Sequence, residues 1–419
     1  MKILLVKNFL LLKNVEIEVK KINIIIGSQA SGKSIIAKLV HYFNGIGKHF
    51  QNSIIEGLPI KEAKKNAINE FEKNFPISSW NGTSFEISYN SFGQIIKING
   101  NVVKNKTKIE IEIPEDLTSF YSQSNRKLSR IKNDRSETIN ILRSPRTTYF
   151  NKVIKPSISN EAFSGFFHNP IFIPASRSFF SSLSNNIFSF LASNVNIDPY
   201  IKEFGSFYES SKSAYIDQYL VKRIEPATFT DLRRRVQSLI KGNYVYKNKQ
   251  DLISTSHGQI PLSNASSGQQ EVIPLLLVLS IYPFFRSNSE ELYFIEEPEA
   301  HLFPDAQGDI VSLFSFIHHK CNTGYFITTH SPYVLAAFNN LILASNLISN
   351  DLLSLNESIK INANGFPIDF KDVSAYIINN GICESILDEE NNLINTSKID
   401  SVSEKFAIAM DEMLGASHA

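Results

Sequence analysis

Along the first 45 residues the spacing of apolar positions changes period. The segments KILLV, VEIEV and INIIIG are short runs rich in β-branched residues separated by polar breaks, which predicts strands leading into a glycine-marked turn. KSIIAKLVHYF then places its apolar residues as one face of a helix does. Strand, Gly-rich loop and helix in that order make a βα unit. From about residue 45 to 165 a polar helical stretch is followed by SFEISY, QIIKI and KIEIEI around Asn99-Gly100, a hairpin signal within an antiparallel insertion. PIFIPA (170–175) returns to a buried-strand pattern. The region to about 240 reads as mostly helical, ending in DLRRRVQSLI, and strand-like NYVYKN and DLISTS follow. Beyond them, the strands ELYFIE and GYFITT alternate with helical stretches, as in a sheet covered by helices. There is no internal repeat and no sustained heptad run, which argues against a long coiled-coil arm.

Length and charge narrow the picture only a little. At 419 residues the chain can bury a large core and is long enough for two or three domains, or one with insertions. Lys+Arg 42 against Asp+Glu 41 leaves a net charge of +1, so any nucleic-acid contact must be local. The most basic stretch is 126–155, with Arg126, Lys127, Arg130, Lys132, Arg135, Arg143, Arg146, Lys152 and Lys155 against Asp134 and Glu137. It reads either as a solvated insertion or as a phosphate-backbone contact. Cys321 and Cys383 form neither a zinc site nor a disulfide framework, which fits a reducing compartment. No uninterrupted apolar run reaches the roughly 18 residues of a membrane helix, and the N-terminus lacks a small-residue cleavage site. The expectation is a soluble, cytoplasmic protein without membrane contact.

Three motifs carry chemistry. Gly27-Ser28-Gln29-Ala30-Ser31-Gly32-Lys33-Ser34 fits G-x-x-x-x-G-K-[ST] in full. Its glycines let backbone bend around phosphates, Lys33 reaches the β/γ-phosphates, and the Ser34 hydroxyl can ligate Mg2+. The strand at 292–295 ends in Glu296-Glu297, adjacent acids that are costly to bury without a cation. Glu296 is the candidate metal holder, and Glu297 the group that orients or deprotonates attacking water. GYFITTHSPYVL ends another strand in Thr328-Thr329-His330-Ser331. If the strands are parallel, His330, Glu297 and the phosphate loop converge on one sheet edge. NASSGQQE (264–271) opens an apolar helix. Ser266 or Ser267 can cap it, with Gln270 or Glu271 reaching back toward the cap.

Phosphate loop, SSGQQ, EEPEAHLFP and TTHSPYVL, in this order, resemble the ABC-type ATPase heads of the RecF, Rad50/SMC and OLD group, and most nearly the stand-alone bacterial AAA15/AAA21-type ATPases. The resemblance spans both ends of residues 1–345. It implies an α/β fold, an ABC-type P-loop NTPase head with an antiparallel β insertion and a helical subdomain, binding ATP and Mg2+. The expected division is a discontinuous head, with core at about 1–44, 165–180 and 255–345, a β/basic insertion at about 45–165 and a helical lobe at about 181–250. Residues 346–419 are expected as a small C-terminal α/β extension, lacking the acidic cluster of a Toprim nuclease.

The resemblance also implies a head-to-tail dimer. Ser267, Gly268 and Gln269 would then touch the γ-phosphate held by a partner copy. His330 would sense the γ-phosphate in cis, and Glu299-Ala300-His301 would form the loop crossing the dimer. The sequence departs from the group's pattern in having Glu296 where Asp is commoner, and Ser176-Arg177 where a glutamine is expected. Arg177 reads either as a phosphate or partner contact or as a structural ion pair. ATPases that look like this one serve the Septu, PARIS and retron-associated antiphage systems beside an HNH or Toprim nuclease. That implies an ATP-hydrolysing sensor subunit controlling a separate effector. The alternative is a RecF-like ATP-dependent DNA-binding clamp in repair, and a third reading is an ATP-binding scaffold. Arg233-Arg234-Arg235 and His318-His319 read as solvated surface before they read as contacts or ligands.

Overall fold

The computed structural model describes residues 1–131, 144–183, 197–217, 224–285 and 291–396. One sheet of eleven strands organises it, in the order β6-β5-β4-β1-β2-β14-β13-β3-β12-β11-β7. The parallel part is β7 (Ile171–Ile173), β11 (Leu292–Glu296), β12 (Gly324–Thr329), β3 (Ile22–Gly27) and β13 (Val373–Asn379). The remainder joins β1 (Lys2–Phe9), β2 (Leu12–Val19), β4 (Phe85–Ser91), β5 (Gln94–Val103) and β6 (Lys106–Glu112) by antiparallel pairing. β14 (Ile382–Ser385) links the two parts, antiparallel to β13 and parallel to β2. The strands from 85–112 therefore extend the sheet that carries the phosphate loop. β13, from the segment beyond residue 345, lies in its middle.

The parallel strands are mostly apolar on both faces because both faces are covered. Ile24 and Ile26 of β3 point into one core, and Ile25 points into the other. The first core is closed by α5 (Pro199–Ile216), α6 (Pro226–Ile240), α7 (Ser267–Phe285), α8 (Pro304–Cys321) and α9 (Pro332–Ser349). The second is closed by α1 (Lys33–Gly45), α2 (Gly47–Glu56), α3 (Ile60–Asn74) and α4 (Glu115–Ser129), with the antiparallel strands. β8 (Asn243–Lys247), β9 (Gln250–Thr255) and β10 (Gly258–Pro261) form a separate three-stranded sheet just before α7.

The structure relocates several expectations. Asn99-Gly100 is not a turn but mid-strand in β5, where Gly100 faces Phe85 and the Phe85 ring leaves no room for a Cβ. The two hairpin turns are made by Phe92 (φ 52°) with Gly93 (φ 91°), and by Lys104 (φ 50°) with Asn105 (φ 62°). Positive φ at both central residues gives the twist that flanking strands need.

Two helices bear on the expectation about membrane-spanning stretches. α7 and α9 are each long and apolar enough by length and composition, because a helix tolerates scattered Ser, Gln and Asn. The apolar window of α7 is 67 % buried inside the protein, which marks it as a core helix. α9 packs on α8, and Asn339 pairs with both backbone groups of Ile394.

Arg235 lies over the Phe316 ring, Arg233 over Phe229, and Arg234 pairs with Asp231. His318 meets the Thr323 carbonyl and His319 stacks on Phe366, so both serve packing. In the basic stretch, Arg126, Lys127, Arg130, Lys152 and Lys155 are exposed. Lys132, Asp134, Arg135, Glu137 and Arg143 lie outside the described residues, as do residues 397–419 of the expected C-terminal extension.

Candidate functional site

Parallel pairing of β7, β11, β12 and β3 puts their carboxyl ends on one edge, and every candidate group except the α7 motif leaves the sheet there. β3 ends in the phosphate loop. At Gly27 a Cβ would sit 2.5 Å from the Ile378 carbonyl of β13, so only glycine lets the loop start against that strand. Gly32 has φ 107° and presses on Leu12, and its left-handed conformation turns the chain into α1. Ser28, Gln29, Ala30 and Ser34 are exposed around this turn.

Lys33 opens α1 and is only 6 % exposed. Its ammonium donates to the carbonyls of Gly27 and Ser28, both at 2.8 Å, and lies 3.3 Å from His330 Nδ1. His330 Nε2 lies 2.9 Å from Glu297 Oε1. An ammonium has no lone pair, so Nδ1 accepts from Lys33 and the Nε2–H donates to Glu297. A continuous chain Lys33–His330–Glu297 therefore runs across the mouths of β3, β12 and β11. Burial pushes the Lys33 ammonium below its ordinary pKa, while Glu297, Glu299 and Glu296 pull it back up.

The two adjacent acids have different surroundings. Glu296 is 8 % exposed, its Oε2 accepts from the Ala175 N–H at 3.2 Å, and its Oε1 is buried with no hydrogen-bond partner. A buried carboxylate oxygen left unsatisfied is costly, and a hard cation satisfies it. The donor chemistry of Glu296 thus fits the metal-side role, and the Ser34 hydroxyl is exposed at the start of α1. Glu297 points outward with its side chain 38 % exposed, and its backbone sits at φ 44°, a left-handed conformation uncommon for a non-glycine residue. The turn is held by Glu297 N–H to the Thr328 carbonyl at 2.8 Å and Ala300 N–H to the Glu297 carbonyl at 3.1 Å.

Residues 43–335 match the family model described as "AAA ATPase domain" (AAA_15). The chain belongs to this family. The matched span covers well over half of the chain and starts within α1, after the phosphate loop. The α/β fold class expected from the motifs is the one found. Among solved structures the chain is similar to the "SMC head domain from Thermotoga maritima", at 12 % identity and TM-score 0.38, covering 93 % of this chain and 100 % of that one. It is also similar to the "SmcHead bound to the C-winged helix domain of ScpA", at 13 % identity and TM-score 0.39, covering 93 % and 99 %. No curated protein matches the chain.

The α7 motif of this AAA ATPase domain is placed differently from the other candidates. Ser266 and Gln269 form the reciprocal cap: Ser266 N–H and Oγ donate to Gln269 Oε1, and Gln269 N–H donates to Ser266 Oγ. The cap partner is thus Gln269, not Gln270 or Glu271. Gln269 also donates to the Ile240 carbonyl, so its side chain is committed within the chain, while Ser267 is exposed. Gly268 abuts the His301 turn, where a Cβ would lie 2.8 Å from the His301 carbonyl.

Glu299 faces inward. Its Oε1 accepts from the Thr329 hydroxyl at 2.6 Å and the His330 N–H at 2.8 Å, so it braces the His330 turn in cis.

Arg177 is fully buried and pairs with Glu271 at 3.5 Å, which settles its two readings in favour of the structural ion pair. Sequence reasoning gave Glu271 only a capping role. The signal was available, since Glu271 is the sole charge in the helix SGQQEVIPLLLVLSIYPFF and such a charge needs a buried partner.

Proposed function

We propose that this protein binds ATP with Mg2+ and hydrolyses it to ADP and phosphate, in composite sites made when two copies associate head to tail. The observation that carries the reading is the Lys33–His330–Glu297 chain beside the phosphate loop, with the orphaned oxygen of Glu296 next to it. The loop N–H groups and Lys33 would hold the β/γ-phosphates, because a γ-phosphate outcompetes the neutral carbonyls of Gly27 and Ser28 for the ammonium. Ser34 and Glu296 would hold Mg2+, which would supply charge neutralisation at the phosphates. Glu297 accepts a proton from, and aims, the attacking water. His330 holds one Glu297 oxygen and leaves the other for that water. Serving γ-phosphate sensing, His330 touches both the lysine and the base, so phosphate contact with Lys33 is felt at Glu297.

The α7 N-terminus offers exposed Ser267 and a helix-start anion site in a chain whose own phosphates already have a loop. We assign it to the partner's γ-phosphate. Ser267→Arg tests this: ATP affinity of the monomer should stay within about two-fold, while ATP-dependent dimerisation, read by light scattering, disappears. Weakened monomer affinity would instead put the motif in its own chain's site.

The cellular reading rests on the resemblance: a soluble, cytoplasmic sensor in antiphage defence, controlling a separately encoded HNH or Toprim nuclease. Co-purification with the products of neighbouring genes checks it, and recovery of no such effector from cells expressing the intact locus would contradict it.

A further inference from the structure

We infer that Arg177 is a positioning residue that locks the peptide carrying Glu297 to the α7 helix, so that the α7 motif and the hydrolytic carboxylate move as one body. This rests on the proposed hydrolytic role of Glu297. The guanidinium is wholly enclosed and each of its nitrogens is used. Nε donates to the Glu271 carbonyl at 3.0 Å, Nη1 to the carbonyls of Pro174 at 2.9 Å and Glu296 at 2.7 Å, and Nη2 to the Glu297 carbonyl at 3.0 Å. Three chain segments that are remote in sequence, the end of β7, the end of β11 and the second turn of α7, are thereby fixed to one rigid planar fork.

The Glu271 carboxylate completes the lock. Its Oε2 accepts from the Arg177 N–H at 2.8 Å, and its Oε1 accepts from the Ser178 N–H at 3.1 Å and the Ser178 hydroxyl at 2.7 Å. Glu271 itself is 2 % exposed, so neither charge is shared with water. Burial pushes the Arg177 guanidinium down from its ordinary pKa, and Glu271 leads the four carboxylates that hold it up.

Two features make this more than packing. The peptide being held is the one with Glu297 at φ 44°, a conformation that persists only where its surroundings over-determine it. The helix at the other end begins at Ser267, one turn before Glu271, at the motif assigned to a partner's phosphate. Displacement of that helix start reaches the Glu296 and Glu297 carbonyls through a single side chain. A lysine keeps the charge but cannot reach four carbonyls and a carboxylate at these angles.

The test uses Arg177→Lys and, as the milder change, Glu271→Gln, which keeps an acceptor toward Ser178 while removing the charge. Two readouts are taken on the full chain. The first is hydrogen exchange of the Glu297 and Ser178 amides without nucleotide, referenced to the amides of β3. In Arg177→Lys both should exchange at least about ten-fold faster, with β3 unchanged, and Glu271→Gln should move them in the same direction by less. The second is steady-state turnover, where kcat should fall about ten-fold or more with KM within two-fold, since the phosphate loop is untouched. If Arg177→Lys does not fold, Glu271→Gln alone carries both readouts. Unchanged exchange at Glu297 in a folded variant overturns the inference, as does a rise in KM with kcat retained. A wild type that does not hydrolyse ATP would overturn the proposed function and leave the exchange experiment to decide the lock.

Discussion

His41 shows at the scale of one side chain what burial does to a titratable group. Its ring is packed edge-on by Phe172, Tyr200 and Phe294, with centroids 5.2 to 5.5 Å away. Burial pushes its pKa from 6.5 to about 3, the Pro170 backbone opposes this, and Lys48 and Lys38 add to it. His168 is pushed to about 3 as well, by burial and then Lys2. Below pH 6.5 the unfolded chain takes up protons that the folded chain refuses until about pH 3. The stability conferred by these neutral imidazoles is therefore complete above 6.5 and lost as pH falls toward 3. Each contributes a slope of up to about 1.4 kcal/mol per pH unit. The melting temperature should drop between pH 7 and pH 5, and His41→Gln should flatten that drop. An identical pH slope in the variant would contradict the assignment. Residue chemistry of this kind was only half legible in the sequence. The phosphate loop, Glu296, Glu297 and His330 announce themselves by motif, whereas His41 is one histidine in an ordinary helix and becomes unusual only through rings from β7, β11 and α5.

At the scale of elements, the two periods of the apolar pattern were a sound guide. β3, β11 and β12 read as near-continuous apolar runs because α1 covers one face and α7 and α8 the other. The turn chemistry misled. Asn99-Gly100 is a strong hairpin dipeptide locally, but cross-strand packing of Phe85 over Gly100 decides the outcome, and Lys104-Asn105 makes the turn instead. In α7 the local rules held and were incomplete. Ser266 caps as Ser should, while Glu271 is drawn away from the cap by Arg177, a partner 94 residues distant. A helix start can be read from five residues; which acid in it is spoken for by another segment cannot.

At the scale of the whole molecule, the alternation of strands and helices foretold a parallel sheet with its motifs on one edge, and that edge is where Lys33, His330 and Glu297 meet. Strand order was not legible. Nothing in VSAYIIN says that it inserts between β3 and β14, and yet the start of the phosphate loop is shaped by the Ile378 carbonyl from that strand. Pairing between segments about 350 residues apart, such as Ile22 with Val373, is decided by which apolar faces remain to be covered, a property of the assembled fold. ATP hydrolysis at this edge, with Glu297 as the base, is the proposed activity. It is tested most directly by the steady-state Mg-ATP turnover of the purified wild type against Glu297→Gln, with Lys33→Ala as the variant that should lose ATP binding. Glu297→Gln should bind ATP as tightly as wild type and turn it over at least about 100-fold more slowly. Equal turnover in the two proteins would contradict it.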